Sequence, residues 1–568
     1  MYMKTILRLS VSAAFAALLA SACMQEILPQ QALATKDQVA SAPGAYENAV
    51  SAITSTLVGE FVYGGSGNSY LYDLGWPALN LMRDYAGQDL VYVYQNWFTY
   101  WYVDTYMGPA YRFSQIPWTY YYGWIKSCNE VINMSVNVEN GELLDDAFAT
   151  GAGIAYSIRA WLYTEMAQMF APETYTVNKN AETVPIVSET TKVSDLSHNP
   201  RATNEKMFEF ILSDLDKAEV FLADYKRPDI YTPDQSVVYG LKARAYLLMG
   251  EWAKAVEYAQ KAQKGYTIMT ESQYTDKNLG FNTPNGAWMF ALNQKSSDPQ
   301  IQVNDADSSW GSMMYMEINP ETSGCGYAAN YGQPTWIDRH LYETIPATDC
   351  RKKCYVDFAI DDLEGDEKLE ALAEYVPNPE WLLSASDAIN GYGNGVVGGT
   401  ELKFRTAGGD AGRNNQYIGF VGDIPLMRVE EMYLIEAEAA GRLNEADGIR
   451  LITEFAQHRD KSYVYGIHKE NYGSVKSSDF INEVWWQRRV ELWGEGFATF
   501  DIKRLQKGVI RNYPNTNHVP NYRYVEQTTP QWMTLCIVQT ETNYNYDCTN
   551  NPDPSKSSPT DDAPVSSF

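Results

Sequence analysis

The 568-residue sequence predicts a mainly α protein, built as a stack of antiparallel helix pairs with long loop and short-hairpin insertions. Three observations carry that expectation. Apolar residues recur at helical spacing: Ile154, Ile158, Trp161, Leu162 and Met169 share one face of a helix that Pro172 ends, and Met207, Phe210, Ile211, Leu215, Ala218 and Leu222 form a second stripe. Two later segments, Val237 to Tyr266 and Val429 to Arg459, alternate small residues, aromatic rings and a glycine, as two closely packed antiparallel helices require. Residues 266–345 and 376–425 are instead rich in Gly, Asn, Ser and Asp with scattered Trp and Tyr, which predicts ordered loops and short hairpins.

At the N-terminus, Lys4 and Arg8 precede an apolar stretch from Val11 to Ala22 with the charge order and length of a secretory signal, too short to span a bilayer. It ends in Leu19-Ala20-Ser21-Ala22-Cys23, which resembles the lipobox of bacterial lipoproteins, although Ala20 stands where those proteins usually have Leu. The resemblance implies a signal peptide over residues 1–22 and a lipidated Cys23. The alternative is plain secretion by cleavage after a small-x-small triplet. Residues 23–45 are polar and Ala/Gln-rich, as suits a tether, and the folded body is expected over 46–548. No later run reaches 18 apolar residues, and the Pro/Ser/Asp-rich tail 549–568 is expected to be disordered.

Within the body, Ala243, Tyr246, Gly250, Trp252, Ala255, Ala259 and Ala262 resemble a tetratricopeptide helix pair, with the turn at Gly250-Glu251-Trp252. Tyr433, Ala437, Ala439, Gly441 and Ala446 repeat that order. Trp118 to Ser135 with Ile154 to Phe170 supplies a weaker pair, giving the three or more units such a stack needs. Stacks of this kind bind or scaffold.

Composition narrows the function. Asp and Glu number 71 against 44 Lys and Arg, a net charge of −27 that repels phosphate backbones, so no nucleic-acid partner is expected. There are 42 Tyr and 15 Trp but only 5 His, each isolated in sequence. No zinc-protease, nucleophile-elbow, phosphate-loop or dinucleotide motif is present, so neither a catalytic residue nor a cofactor is expected. A surface glycosidase stays open only because two facing carboxylates suffice for that chemistry. The six cysteines after Cys23 could form disulfides whose connectivity the spacing does not determine, Cys350/Cys354 and Cys536/Cys548 being the local pairings, and none resembles a zinc site. The acidic runs at Asp305 to Ser308 and Asp361 to Asp366 lack the spacing of a calcium loop, and no metal is expected there.

The densest signal is Trp486 to Leu505, where Arg488, Arg489, Glu491, Glu495, Phe500, Asp501 and Arg504 interleave charge with large apolar residues. Charges so placed must be paired if buried. This run resembles the Arg-Arg-x-Glu-Leu-x-x-Glu-Gly-x-x-x-Phe-Asp-x-x-Arg signature of the SusD/RagB family of outer-membrane nutrient-binding lipoproteins, with Gln487 where that family often has Glu. Asp423 to Ala439, Ser157-Ile158-Arg159-Ala160 with Val184 to Val187, Asn129 to Ile132, and Ile211 to Ala218 fit the same family in its order. Ala456-Gln457-His458-Arg459 departs from its Asn-x-x-Arg. These motif residues read as the skeleton of the fold and not as a ligand site.

The resemblance implies a SusD-like helical scaffold, lipid-anchored in the outer membrane and exposed at the cell surface, acting as the lid of a SusC-type TonB-dependent transporter. It implies capture of a glycan, or in some branches a peptide, without catalysis. A purely structural tetratricopeptide protein-interaction scaffold is the remaining class. Sugar rings stack on flat aromatic faces, so ligand contacts are sought among aromatics outside the motifs. The densest cluster is Tyr92 to Tyr102, and Asn96, Trp97, Tyr100 and Trp101 with the preceding Arg83 are the candidates there. Trp310 and Tyr315, in an Asp/Ser-rich loop, are the mid-chain candidates, while Trp288 and Trp336 read as packing residues.

Overall fold

The computed structural model describes residues 43–59, 75–92, 99–102, 106–302, 309–323, 326–330, 335–382, 398–468, 470, 472–473 and 477–557. The chain divides into two units, residues 1–49 and 50–568. Of the first, a turn and the opening of helix α1 (Ala45–Ser55) are described; everything below concerns the second.

Helix α2 (Trp76–Tyr85) starts on Pro77, after a left-handed Gly75 whose φ is 71°. A Cβ at Gly75 would lie 2.3 Å from the Leu57 carbonyl oxygen, so only glycine fits this entry. After strand β1 (Leu90–Tyr92) and the short α3 (Thr99–Tyr102) comes the stack: α4 (Arg112–Ser135), α5 (Ala149–Phe170), α6 (Asn204–Phe221), α7 (Gln235–Met249) and α8 (Trp252–Ala262), each packed on the next. A long insertion follows, after which α12 (Val429–Leu443) packs on α8 and α13 (Glu445–Ala456) on α12. The mainly α helix-pair fold is therefore present, with all three expected pairs.

Local chemistry explains the helix ends. The Thr203 hydroxyl accepts from Lys206 N to open α6, the Asp234 carboxylate accepts from Ser236 N and Val237 N to open α7, and the Asn444 amide oxygen accepts from Ala446 N to open α13. Gly250, at φ 73°, ends α7 in the left-handed cap and lets α8 fold back. The second pair closes still more tightly, because a Cβ on Gly448 would stand 2.4 Å from Gly441 Cα. Helix α5 differs from the stripe expected of it. It is buried on nearly every face, because α4 and α6 flank it and the C-terminal segment covers it.

The insertion between α8 and α12 holds strand β4 (Trp288–Leu292), α9 (Trp310–Met314), β5 (Thr335–Ile337), α10 (Arg339–Thr344), α11 (Gly365–Leu372) and β6 (Ile424–Arg428). Among the described residues its strands form no local hairpins. β4 pairs antiparallel with β6, Trp288 opposite Arg428 and Leu292 opposite Ile424, so the sheet ties the insertion's two ends together. β1 pairs with β5, Leu90 opposite Ile337, which ties the insertion back to the chain that precedes the helix stack. The other pairs, β2 (Glu182–Pro185) with β3 (Arg201–Thr203) and β7 (Val509–Ile510) with β8 (Val525–Glu526), join strands closer in sequence.

Between α13 and β7 lie α14 (Asp479–Glu491) and α15 (Ala498–Arg504). Phe480 of α14 presses its ring over the Gly441/Gly448 contact, and a hydrophobic core gathers Leu434, Phe455, Val484, Trp485 and Ile502 around it.

Two sequence expectations need correction. The local disulfides Cys350/Cys354 and Cys536/Cys548 do not form, because Cys350, Cys354 and Cys548 are free thiols; Cys354 Sγ donates to the Tyr274 carbonyl at 3.8 Å and Cys536 Sγ to that of Pro552 at 3.5 Å. The body also extends beyond 548, because Asn551 is buried and its amide donates to the Phe170 and Leu535 carbonyls at 2.7 and 2.8 Å.

Candidate functional site

The signature run on α14 and its exit forms a buried charge network. Glu491 Oε1 and Oε2 each accept from Arg459 at 2.9 Å, while Arg428 Nη1 lies 3.2 Å from Oε1 and Arg351 Nη1 lies 3.3 Å from Oε2. Arg428 also bridges Glu430 and Glu495 at 2.9 Å, Lys403 donates to Glu495 at 2.8 Å, and Arg351 to Asp349 at 2.7 Å. Four cations thus meet four carboxylates, all buried. Burial alone would raise the Glu491 pKa, but Arg459 and then Arg428 and Arg351 hold it well below the usual carboxylate range. The remaining signature charges pair outward, Arg488 with Asp501 at 2.7 Å, Arg489 with Asp89 at 2.5 Å and Arg504 with Glu438 at 2.7 Å. This arrangement joins β6, α12, α14 and the segment that follows α13.

Most sequence-predicted contacts lie in the interior. Arg83, 4% exposed, donates to Glu165 at 2.7 Å, Asn80 at 2.6 Å and the Gly496 carbonyl at 2.8 Å, and acts as a strut between α2, α5 and the α14 exit. Trp101, 1% exposed, sets its ring edge-to-face on Phe113 at 5.4 Å. Trp310 packs edge-to-face on Phe404 at 4.7 Å, and Tyr315 on Phe420 at 5.6 Å while its hydroxyl accepts from Asn282 at 3.1 Å. Reading these four as surface contacts is corrected by their burial, which leaves no ring face or guanidinium for a sugar. Asn96, Trp97 and the side chain of Tyr100 lie outside the described residues, as does Cys23. Trp288 and Trp336 are buried.

The surface aromatics are elsewhere. No described Trp is among the exposed large hydrophobic residues, whereas Tyr106 and Tyr111 are 50% and 46% exposed. Their rings pair edge-to-face at 5.2 Å. Tyr106 takes a left-handed φ of 57°, which an L side chain rarely adopts. The turn between them is pinned from the far end of the sequence: Gln539 N donates to the Pro109 carbonyl at 2.9 Å, and Asp553 lies against Gly108, where a Cβ would meet its carboxylate at 2.7 Å. Behind it, Ser114 Oγ donates to the Met107 carbonyl at 2.5 Å and Phe113 packs beneath Trp101. The turn that carries the two exposed rings is therefore fixed, next in sequence to the 92–102 aromatic run. The signal that could have found them is the Met107-Gly108-Pro109 turn, which puts its flanking residues at the surface.

Among the described residues there is no group of three or more His, Cys, Asp or Glu able to hold a metal ion, and no helix long and apolar enough to cross a membrane.

The architecture is a tetratricopeptide-type stack locked by buried ion pairs, with an exposed aromatic pair on a pinned surface turn. Comparison with known proteins agrees. Residues 300–553 match the SusD family model, and residues 80–247 match a SusD-like family described as starch-binding and associating with the outer membrane. The chain belongs to the SusD/RagB family. None of the curated protein sequences compared with it matches. Among solved structures, a SusD-like carbohydrate-binding protein from Bacteroides vulgatus superposes with a TM-score of 0.66 at 20% identity, over 89% of this chain and 97% of its own. A SusD superfamily protein from Bacteroides thetaiotaomicron gives 0.62 at 19%, over 89% and 99%. A laminarin-binding SusD-like protein gives 0.58 at 14%, over 89% and 98%.

Proposed function

We propose that this protein captures glycan at the bacterial cell surface and passes it to a SusC-type TonB-dependent outer-membrane transporter, as a binding protein without catalytic activity. The observation that carries the reading is the exposed, pre-positioned pair Tyr106 and Tyr111. Two rings that already pack on each other, on a turn whose backbone is held, lose less conformational entropy on stacking against a sugar than rings on a free loop. Asn96, Trp97 and Tyr100, in the adjoining aromatic stretch, are the proposed further contacts. Family membership, together with the family model described as starch-binding and the carbohydrate-binding and laminarin-binding structural relatives, supports a glycan over a peptide.

The test is isothermal titration against a panel of neutral oligosaccharides, starting with maltooligosaccharides and laminarin fragments. Tyr106→Ala with Tyr111→Ala is expected to weaken binding by about 1–3 kcal/mol while the melting temperature stays unchanged. Unaltered affinity for the double variant would remove the pair from the site, and binding of peptides in place of every glycan would redirect the function to peptide capture.

The anchor is tested separately. Cys23 is proposed to carry the lipid, with residues 1–22 removed and 23–45 as tether. Cys23→Ala is then expected to move the protein from the membrane fraction to the soluble one, and unchanged fractionation would rule acylation out.

A further inference from the structure

The insertion between α8 and α12 helps to enclose a cleft of about 520 Å³, within the roughly 300–1,000 Å³ of small-molecule sites. Its walls come from α10, the turn Cys350–Cys354, the chain just after α11 and Arg405. In a protein of net charge −27, this lining runs the other way: Lys277, Lys352, Lys353 and Arg405 face only Asp357 and Glu374. Lys353 is neutralised by Glu271 at 2.6 Å. Asp357 is engaged too, accepting from the Tyr342 hydroxyl at 2.6 Å and Ala359 N at 2.9 Å.

Lys277 and Lys352 lack such partners, and Arg405 has only the more distant Glu317. Lys277 Nζ donates to the Ala373 carbonyl at 3.1 Å and Lys352 Nζ to that of Ile345 at 2.8 Å, and neither forms an ion pair with a carboxylate among the described residues. Arg405 is only 6% exposed, yet its Nε and Nη1 make no hydrogen bond. Its Nη2 donates to the Tyr375 carbonyl at 3.0 Å, and Glu317 lies 3.9 Å from Nη1, too far for a hydrogen bond. The stem is fixed, because it occupies the space beside left-handed Gly280, where a Cβ would stand 2.2 Å from Arg405 Cγ. A buried guanidinium with open donors costs free energy unless something accepts from it. The half-buried ring of Tyr375 adds an apolar face to the same cleft.

We propose that this cleft binds a sugar ring bearing one oxyanion, a uronate carboxylate or a sulfate ester, with Arg405 and Lys352 holding the charge, Lys277 at the rim and Tyr375 against the ring. The proposal rests on the glycan reading for its sugar and on the cleft for its charge, and it places a second subsite apart from Tyr106 and Tyr111.

The test titrates the full chain with four probes: a galacturonate trisaccharide, a sulfated galactose trisaccharide, the matching neutral trisaccharide and sodium sulfate. At least one acidic sugar is expected to bind about tenfold or more tightly than the neutral one, and which of the two does so identifies the oxyanion. Lys277→Ala and Lys352→Ala are each expected to weaken that binding about tenfold, with the melting temperature of Lys277→Ala unchanged. The acidic preference should survive in the Tyr106→Ala, Tyr111→Ala protein. Equal affinity for acidic and neutral sugars, or acidic binding indifferent to Lys277→Ala, overturns the cleft and leaves the glycan reading standing. Binding of sulfate with no sugar overturns both.

Discussion

Glu491→Ala is expected to destabilise the protein by about 3–5 kcal/mol, the loss typical of breaking a buried ion pair by removing one partner. Here the loss is compounded. The side chain is 0% exposed and three guanidiniums, Arg351, Arg428 and Arg459, converge on it, so the truncation leaves three cations facing one another without their shared anion. Glu491→Gln keeps the shape and removes only the charge, which separates electrostatics from packing. Urea unfolding at pH 7 measures both, and a change below about 1 kcal/mol for Glu491→Ala would mean that the network is held by its neighbours alone. The pH dependence has a definite sign. Because the arginines hold the folded-state pKa below its ordinary 4.5, the carboxylate's contribution is full above that value and is lost as pH falls through the folded pKa. The gap between wild type and Glu491→Gln should therefore be widest near neutrality and narrow in acid.

Trp310→Ala is expected to cost about 3–5 kcal/mol of stability as well, by a different mechanism. The ring is 1% exposed and fills the angle between Phe404, at 4.7 Å, and Tyr315, at 5.9 Å. Its removal opens a cavity that this edge-to-face cluster cannot close without moving α9. Thermal unfolding of the free protein measures the loss. Glycan affinity of the variant at a temperature where it remains folded should match the parent. A normal melting temperature with lost binding would return Trp310 to the ligand surface.

Trp310 also shows where sequence reading stops. The Asp/Ser-rich residues before it suggest an exposed loop, but its neighbour Phe404 lies far along the chain, and no local pattern encodes that contact. Arg83 is the same case, because its partners Glu165 and Gly496 come from distant segments. The helix pairs, by contrast, were legible because their determinants are local: the left-handed glycine at 250, the caps at Asp234 and Asn444, and the small residues at 441 and 448 act within one or two turns of their own position. The charges of α14 were legible as a demand for partners, though which partners answered required the fold. Tyr106 and Tyr111 were overlooked for a compositional reason: the ring-dense stretch before them drew attention, while exposure is set by the plainer Gly-Pro turn. The tail at Asn551 was misjudged because two hydrogen bonds from a polar amide can seat a segment that has little apolar surface to bury.

The joining of α2 to the exit of α14 has a consequence for how the molecule is made. Asp84 accepts from Gly496 N at 2.8 Å, Asp89 is held by Arg489, and Arg511 Nε donates to the Gly87 carbonyl at 3.0 Å, a set of contacts about 400 residues apart in sequence. At roughly 5–20 residues per second, synthesis leaves α2 and β1 waiting about 20–80 s for the segment that completes them. During that interval Asp84 and Asp89, buried in the finished protein, lack the Gly496 amide and the Arg489 guanidinium that hold them. A truncation before residue 490 is therefore expected to leave the start of the body as incomplete as the end.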